Sequence, residues 1–205
     1  TKSEAKLFSK AETLKNKKIT SEACIHHLTF NEDDYKTKKG LIKWNPSVKN
    51  EDNRQGLWDS LIEGRIDIIA TDHAPHTLDE KSKNYLECPS GGPMVQHSLN
   101  VMYEHFLNNR ITIEDIVQKM CHNPAIIFGI KKRGFIRQNY FADLVVLDPR
   151  KSYRVNKSNI LYKCGWSPFE GKKFNSVITN TFVNGNLVYN NGIIDEKFRG
   201  EKIIF

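Results

Sequence analysis

Asp72 follows the apolar run Ile66-Asp67-Ile68-Ile69-Ala70, and His73 and His76 come next, flanking Ala74-Pro75. A carboxylate and two imidazoles this close can ligate a hard or borderline metal ion, or move protons as general acid and base. A plainer reading fits too, with Asp72 capping the following loop and the histidines as polar loop residues. Asp-x-x-x-His is weak as a bare pattern, and local chemistry leaves both readings open. A second pair, His26-His27, sits in a stretch that reads as extended. Neighbours on a strand point to opposite faces, so the pair is expected to be structural or supporting rather than to hold one ion. His97, His105 and His122 fall on helical segments and read as packing or surface residues. The four cysteines (Cys24, Cys88, Cys121, Cys164) show no Cys-x-x-Cys spacing, which implies reduced thiols, with Cys24 and Cys164 as small buried residues.

These residues need elements to hold them. Residues 3–16 carry a helix signal in Ala5, Phe8 and Leu14, and 19–30 reads as a strand. A polar stretch over 31–50 is too long for a simple connector, and loops of that length are usually functional. Asn50 is placed to cap a helix with Leu57, Trp58, Leu61 and Ile62 on one face and Gly64 at its end. The run 66–70 then suits a strand buried on both faces, giving a βαβ rhythm. In parallel α/β architectures ligands gather at the C-terminal ends of strands, where Asp72 falls. After a second long loop to about Gly92, Pro93 stands where a helix can begin. Val95, Leu99, Met102 and Phe106 follow at helical spacing. Thr112 caps a helix through Met120, and Asn123-Pro124 caps a short one ending near Gly129. From Phe141 the pattern turns to strands at 144–147, 177–183 and 187–189, with Asn184-Gly185 as a two-residue hairpin turn.

Composition narrows the class. At 39% hydrophobic with 11 Phe, 7 Tyr and 3 Trp, the 205 residues are globular rather than disordered. The net charge of +7 invites nucleic acid. The lysines, however, are scattered among Asn and Ile without interleaved aromatic residues, so no nucleic-acid partner is expected. No apolar stretch approaches the ~18 residues of a membrane span and no signal peptide opens the chain, so a cytoplasmic protein without membrane contact is expected. The chain opens at Thr1 rather than Met, which suggests a fragment or processed product.

Ala70-Thr71-Asp72-His73-Ala74-Pro75-His76-Thr77 with Glu80-Lys81 resembles the Asp-His-Ala-Pro-His signature of bacterial dihydroorotases, in the amidohydrolase superfamily. Thr20 through Leu28 resembles that family's seventh strand, and Lys43-Trp44-Asn45-Pro46 its Lys-x-Asn-Pro loop. Gly134 through Asp148 resembles the re-entry into a small β domain, so the similarity covers nearly the whole chain in order. The resemblance implies an α/β fold: the C-terminal part of a (β/α)₈ TIM-type barrel over 1–133, then the C-terminal strands of a small β-sandwich domain over 134–205. It also implies a binuclear Zn²⁺ centre whose hydroxide attacks the ring amide of dihydroorotate, reversibly with cyclisation of N-carbamoyl-L-aspartate. By position, Asp72 would ligate one metal and shuttle the proton, while His76 and Asn45 would bind substrate. Ser90-Gly91 resembles a substrate-contacting Phe-Gly, with Ser in place of the usual Phe. The strand containing His26-His27 supplies no zinc ligand in this class.

The implied site is incomplete here, because the family's His-x-His, bridging carboxylate and two further histidines have no counterpart. A preceding segment is therefore an expected partner, alongside the small-molecule substrate and, by resemblance, a second copy in a homodimer. Two alternatives stand beside dihydroorotase. One is a hydantoinase or allantoinase, which usually lacks a His at position 76. The other is a non-catalytic dihydroorotase-like subunit scaffolding aspartate transcarbamoylase.

Overall fold

The computed structural model describes residues 1–10 and 13–205. The expected helix over 3–16 is much shorter: α1 spans Lys2–Ala5, capped by Thr1, and a 3₁₀ turn follows at Leu14–Asn16. Residues 11 and 12 of that expectation lie outside the described residues. Strand β1 (Glu22–Cys24) covers only the centre of the expected strand, because the chain turns into helix α2 (Ile25–Thr29). Burial explains the turn: Ile25, His26 and Leu28 are all buried, and the two adjacent positions 25 and 26 could not both face inward from a strand. The Leu28 and Thr29 carbonyls, left open by the helix end, accept from Trp58 Nε1 at 2.8 Å and Arg54 Nη1 at 3.0 Å.

Residues 31–50, expected as a loop, carry helix α3 (Tyr35–Lys38) between two 3₁₀ turns and send Ile42 and Trp44 into the core. Helix α4 (Glu51–Ile62) begins as the sequence indicates, the Asn50 side chain accepting from Asn53 N. Gly56 is forced by its neighbour, since a Cβ there would lie 2.2 Å from the Lys2 side chain. Strand β2 (Ile68–Ala70) then pairs parallel to β1, with Cys24 opposite Ala70. The β1–α4–β2 unit is the βαβ rhythm read from the sequence. At its base Lys17 Nζ meets Asp67 at 2.8 Å, both buried, and Ser21 N donates to the other Asp67 oxygen.

Helix α5 (Leu78–Lys81) has a capping box of Thr77 and Glu80. Pro93 does not open the next helix. A 3₁₀ turn at Val95–His97 precedes α6 (Ser98–Leu107), and Val95, expected on the apolar face, is half exposed. Helix α7 (Ile113–Val117), capped by Thr112, runs through a π turn (Gln118–His122) into α8 (Asn123–Ile127). The expected break at Asn123 is therefore a bulge. Pro124 cannot donate to the carbonyl four residues back and its ring crowds it, and a π turn absorbs that defect. Lys119 Nζ donates to Ile66 O at 2.8 Å and the Asn123 amide to Asp67 O at 2.6 Å, tying the bulge to the start of β2.

Strands β3 (Leu144–Asp148), β4 (Tyr153–Arg154), β5 (Lys173–Phe174), β6 (Val177–Val183), β7 (Asn186–Asn190) and β8 (Ile193–Ile194) complete the chain. They form an antiparallel sheet in the order β3-β6-β7-β8 and a separate β4–β5 pair. Asn184 and Gly185 both have positive φ, 53° and 81°, as a type I′ hairpin requires. Val155, Phe169 and Phe174 join the core formed by Ile25, Leu28, Trp44, Trp58 and Met102. Among the described residues no helix is long and apolar enough to cross a membrane.

Candidate active site

Asp72 lies just past β2, exposed, with φ 44°. A non-glycine residue in the left-handed region is uncommon, and such strain tends to gather at functional sites. Its carboxylate makes no hydrogen bond or ion pair within the described residues. It faces a cleft of about 400 Å³ whose lining includes Cys24, His27, Asn45, Lys49 and Arg54. The structure thus brings Asp72 and Asn45 to one cavity.

His76, Ser90 and Gly91 form an adjoining wall rather than part of that lining. His76 Nε2 is 3.1 Å from Ser90 O, and its Nδ1 is 3.7 Å from Glu80. Gly91 has φ 112°, and a Cβ there would sit 2.5 Å from Ala74 O, so the two loops touch backbone to backbone. Gly91 N donates to Lys43 O at 2.9 Å, and Trp166 Nε1 donates to His76 O at 2.8 Å. His73 is occupied elsewhere: its Nδ1 accepts from Met94 N at 3.0 Å, which fixes the proton on Nε2.

Two lysines organise this wall, and the sequence reading gave them no role. Lys81 Nζ, 2% exposed, donates to Gly91 O at 2.7 Å, Pro89 O at 2.8 Å and Lys43 O at 3.3 Å. Burial pushes its ammonium below the ordinary lysine value. Lys43 Nζ in turn holds Tyr85 O and Cys88 O, each at 2.6 Å. Residues 43, 85 and 88–91 are thereby clamped together, and the 72–76 loop meets them through Ala74 against Gly91 and His76 against Ser90. The available signal was Glu80-Lys81 within the signature, but three carbonyl partners distant in sequence leave no local pattern.

The histidine pair differs from its expected geometry. Because β1 gives way to α2 after Cys24, His26 and His27 are not on opposite faces of a strand. Cys24, His26 and His27 each present a ligand atom within 4.8 Å of the others. His26 is fully buried and stacked on Trp44 at 4.1 Å, and among the described residues neither ring nitrogen meets full hydrogen-bond geometry, with only the Thr71 backbone acting on it as an acceptor. Burial holds it neutral, with its pKa pushed down to about 2. Cys24 is pushed up to about 12, by burial first and by the Asp72 and Glu22 carboxylates after it. His97 is also buried, while His105 stacks on Trp58 at 4.6 Å, in line with their reading as packing residues.

A profile of the amidohydrolase family matches residues 5–188. The chain belongs to that family. Within it the chain is dihydroorotase-like. It is 36% identical over 186 residues to a dihydroorotase of Pyrococcus horikoshii, covering 91% of this chain and 43% of that protein. It is 33% identical over 172 residues to a Clostridium acetobutylicum dihydroorotase, covering 83% and 40%. Among solved structures it superposes on an L-hydantoinase (dihydropyrimidinase) from Arthrobacter aurescens with a TM-score of 0.84 at 26% identity, covering 94% of this chain and 44% of that one. A D-hydantoinase from Thermus sp. gives 0.78 at 23%, covering 92% and 42%, which speaks for the fold alone. The fold is therefore the α/β amidohydrolase fold. The chain spans less than half the length of each of these relatives.

Proposed function

We propose that this chain carries the C-terminal half of a dihydroorotase-type active site, which interconverts N-carbamoyl-L-aspartate and (S)-dihydroorotate in pyrimidine synthesis. The observation that supports this reading is Asp72, a strained carboxylate at a strand end, unpaired among the described residues and facing the Asn45 cleft. An exposed carboxylate with no partner of its own suits a zinc ligand, since one oxygen can hold the ion and leave the other for protons. Bound zinc supplies a hydroxide nucleophile at neutral pH, bringing the pKa of water from 15.7 to about 7. The other ligands of a binuclear centre are assigned to the part of the relatives' length that this chain does not span.

The remaining steps fall to the chain's own groups. The free Asp72 oxygen accepts the proton of the attacking nucleophile and returns it to the ring nitrogen as the carbon–nitrogen bond breaks. In the reverse direction it takes the proton from the carbamoyl nitrogen as the new carbon–nitrogen bond forms and passes it to the carboxylate oxygen that leaves as the ring closes. Asn45 donates or accepts through its amide at the ring edge, and His76 meets the substrate carboxylate with Ser90-Gly91 behind it. Residues 1–133 are read as barrel and 134–205 as part of a small β-sandwich domain. The resemblance adds a homodimer, and a cytoplasmic setting is carried over as the expectation from the sequence.

A hydantoinase-type reaction is the second reading, favoured by the TM-score of 0.84 to the L-hydantoinase. The imidazole at position 76 argues for the anionic ring instead, because a neutral hydantoin gives it no carboxylate to meet. Asp72→Asn in the protein at its native length tests the mechanism common to both. Loss of the proton shuttle should lower kcat by about 10²–10⁴-fold, measured by ring opening and by ring closure. Near-normal turnover would remove Asp72 from the chemistry.

A further inference from the structure

The cluster at the end of β1 is not used by the reaction above. Its three residues come from one tight change of direction, with Cys24 as the last strand residue and His26 and His27 in the first turn of α2. The ligand atoms lie within 4.8 Å of one another. Tetrahedral zinc needs its nitrogen and sulfur donors about 3.3–3.6 Å apart, given bonds of roughly 2.0–2.3 Å. Binding would require side-chain rotation to close that difference.

Two features separate this cluster from ordinary packing. A metal-binding histidine usually donates its other ring N–H to a carbonyl or carboxylate. His27 Nε2 has such a partner, 2.8 Å from Pro46 O, which leaves the Nδ1 lone pair free. Among the described residues neither ring nitrogen of the fully buried His26 has a partner at full hydrogen-bond geometry, although the Thr71 backbone lies near enough to favour its protonated form. A buried polar group without a well-formed partner is destabilising, and a bound ion or water would relieve that. Trp44, stacked on its ring, fixes the imidazole plane.

We propose that Cys24, His26 and His27 form a metal site separate from the Asp72 centre, taking a borderline-soft divalent cation such as Zn²⁺ through one thiolate and two neutral imidazoles. Thiolate and imidazole donors select zinc or cobalt over magnesium or calcium. Binding releases the Cys24 thiol proton to solvent. The Asp72 and Glu22 carboxylates, close enough to act on Cys24, offset the positive charge left on the complex. Cys24 and His27 line the same cleft as Asp72, which gives the ion a route in. The proposal does not depend on the dihydroorotase reading, because it shares no ligand with it.

The test uses Co²⁺ as probe on the protein at its native length, reading the thiolate-to-cobalt charge-transfer band. The band should appear in the wild type and in Asp72→Asn, and vanish in Cys24→Ser. His27→Gln should weaken the affinity of the band-forming site by at least ~10-fold. A second measurement needs no variant: Zn²⁺ should slow alkylation of Cys24 while the exposed Cys121 reacts at an unchanged rate. Cobalt binding without the band, a band that survives Cys24→Ser, or Cys24 alkylation indifferent to Zn²⁺ would each overturn the site. Loss of the band in Asp72→Asn would also overturn its separateness. A failed dihydroorotate assay would leave it standing.

Discussion

At the residue scale, His76 is held by Ser90 O through Nε2 and lies near Glu80 through Nδ1. If its task is to meet the substrate's carboxylate, His76→Ala should raise KM for dihydroorotate while changing kcat much less, the pattern of lost substrate binding. Steady-state kinetics separates the two, and a fall confined to kcat would place His76 in the chemistry instead. His97 makes a different prediction. Burial pushes its pKa down to about 4 from an ordinary 6.5, so the unfolded chain binds the proton more readily. Its neutral form stabilises the fold fully above about pH 6.5, and that contribution is lost as pH falls toward 4. The slope is at most ~1.4 kcal/mol per pH unit. Urea unfolding between pH 6.5 and 5 should show the decline, and His97→Phe should flatten it. An equal slope in both proteins would assign the decline to other groups. The sequence placed Asp72, Asn45 and His76 by motif but could not supply the φ of Asp72 or the bond from His76 to Ser90, which arise from loop packing.

At the element scale, the βαβ unit was legible because its signals are local: Asn50 as a cap, the apolar run at 66–70, and Gly64 with φ 77° after the helix. The I′ turn at Asn184-Gly185 was legible for the same reason. The strand at 19–30 and the helix break at Asn123 were misread because tertiary partners decide both. Trp58 and Arg54 complete the helical end at residues 28 and 29, and the contacts of Lys119 and Asn123 with the start of β2 carry the helix through its π turn. The Lys81 clamp is likewise tertiary. Lys81→Met removes the donor shared by three buried or half-buried carbonyls and should cost ~1–3 kcal/mol or more in unfolding free energy. Because those carbonyls belong to residues 43, 89 and 91, KM should rise more than kcat falls. A stable variant with wild-type KM would show that the loops hold their places without the clamp.

At the scale of the whole molecule, the candidate site sits at one end of a two-stranded parallel sheet, while the C-terminal sheet leaves Val145, Val146, Ile193 and Ile194 about half or more exposed. Trp166 reaches across to His76 O, so the segment between β4 and β5 supports the site wall as well as the core. Sequence order carried the family resemblance across nearly all 205 residues, since motifs and their sequence order need no coordinates. Substrate choice is not settled by fold, because the same α/β scaffold serves the hydantoinases it superposes on. The most direct measurement is therefore kcat/KM of the native-length protein for dihydroorotate, hydantoin and allantoin side by side. Preference for dihydroorotate is predicted; preference for either neutral ring, or no turnover of any of the three, would contradict the account.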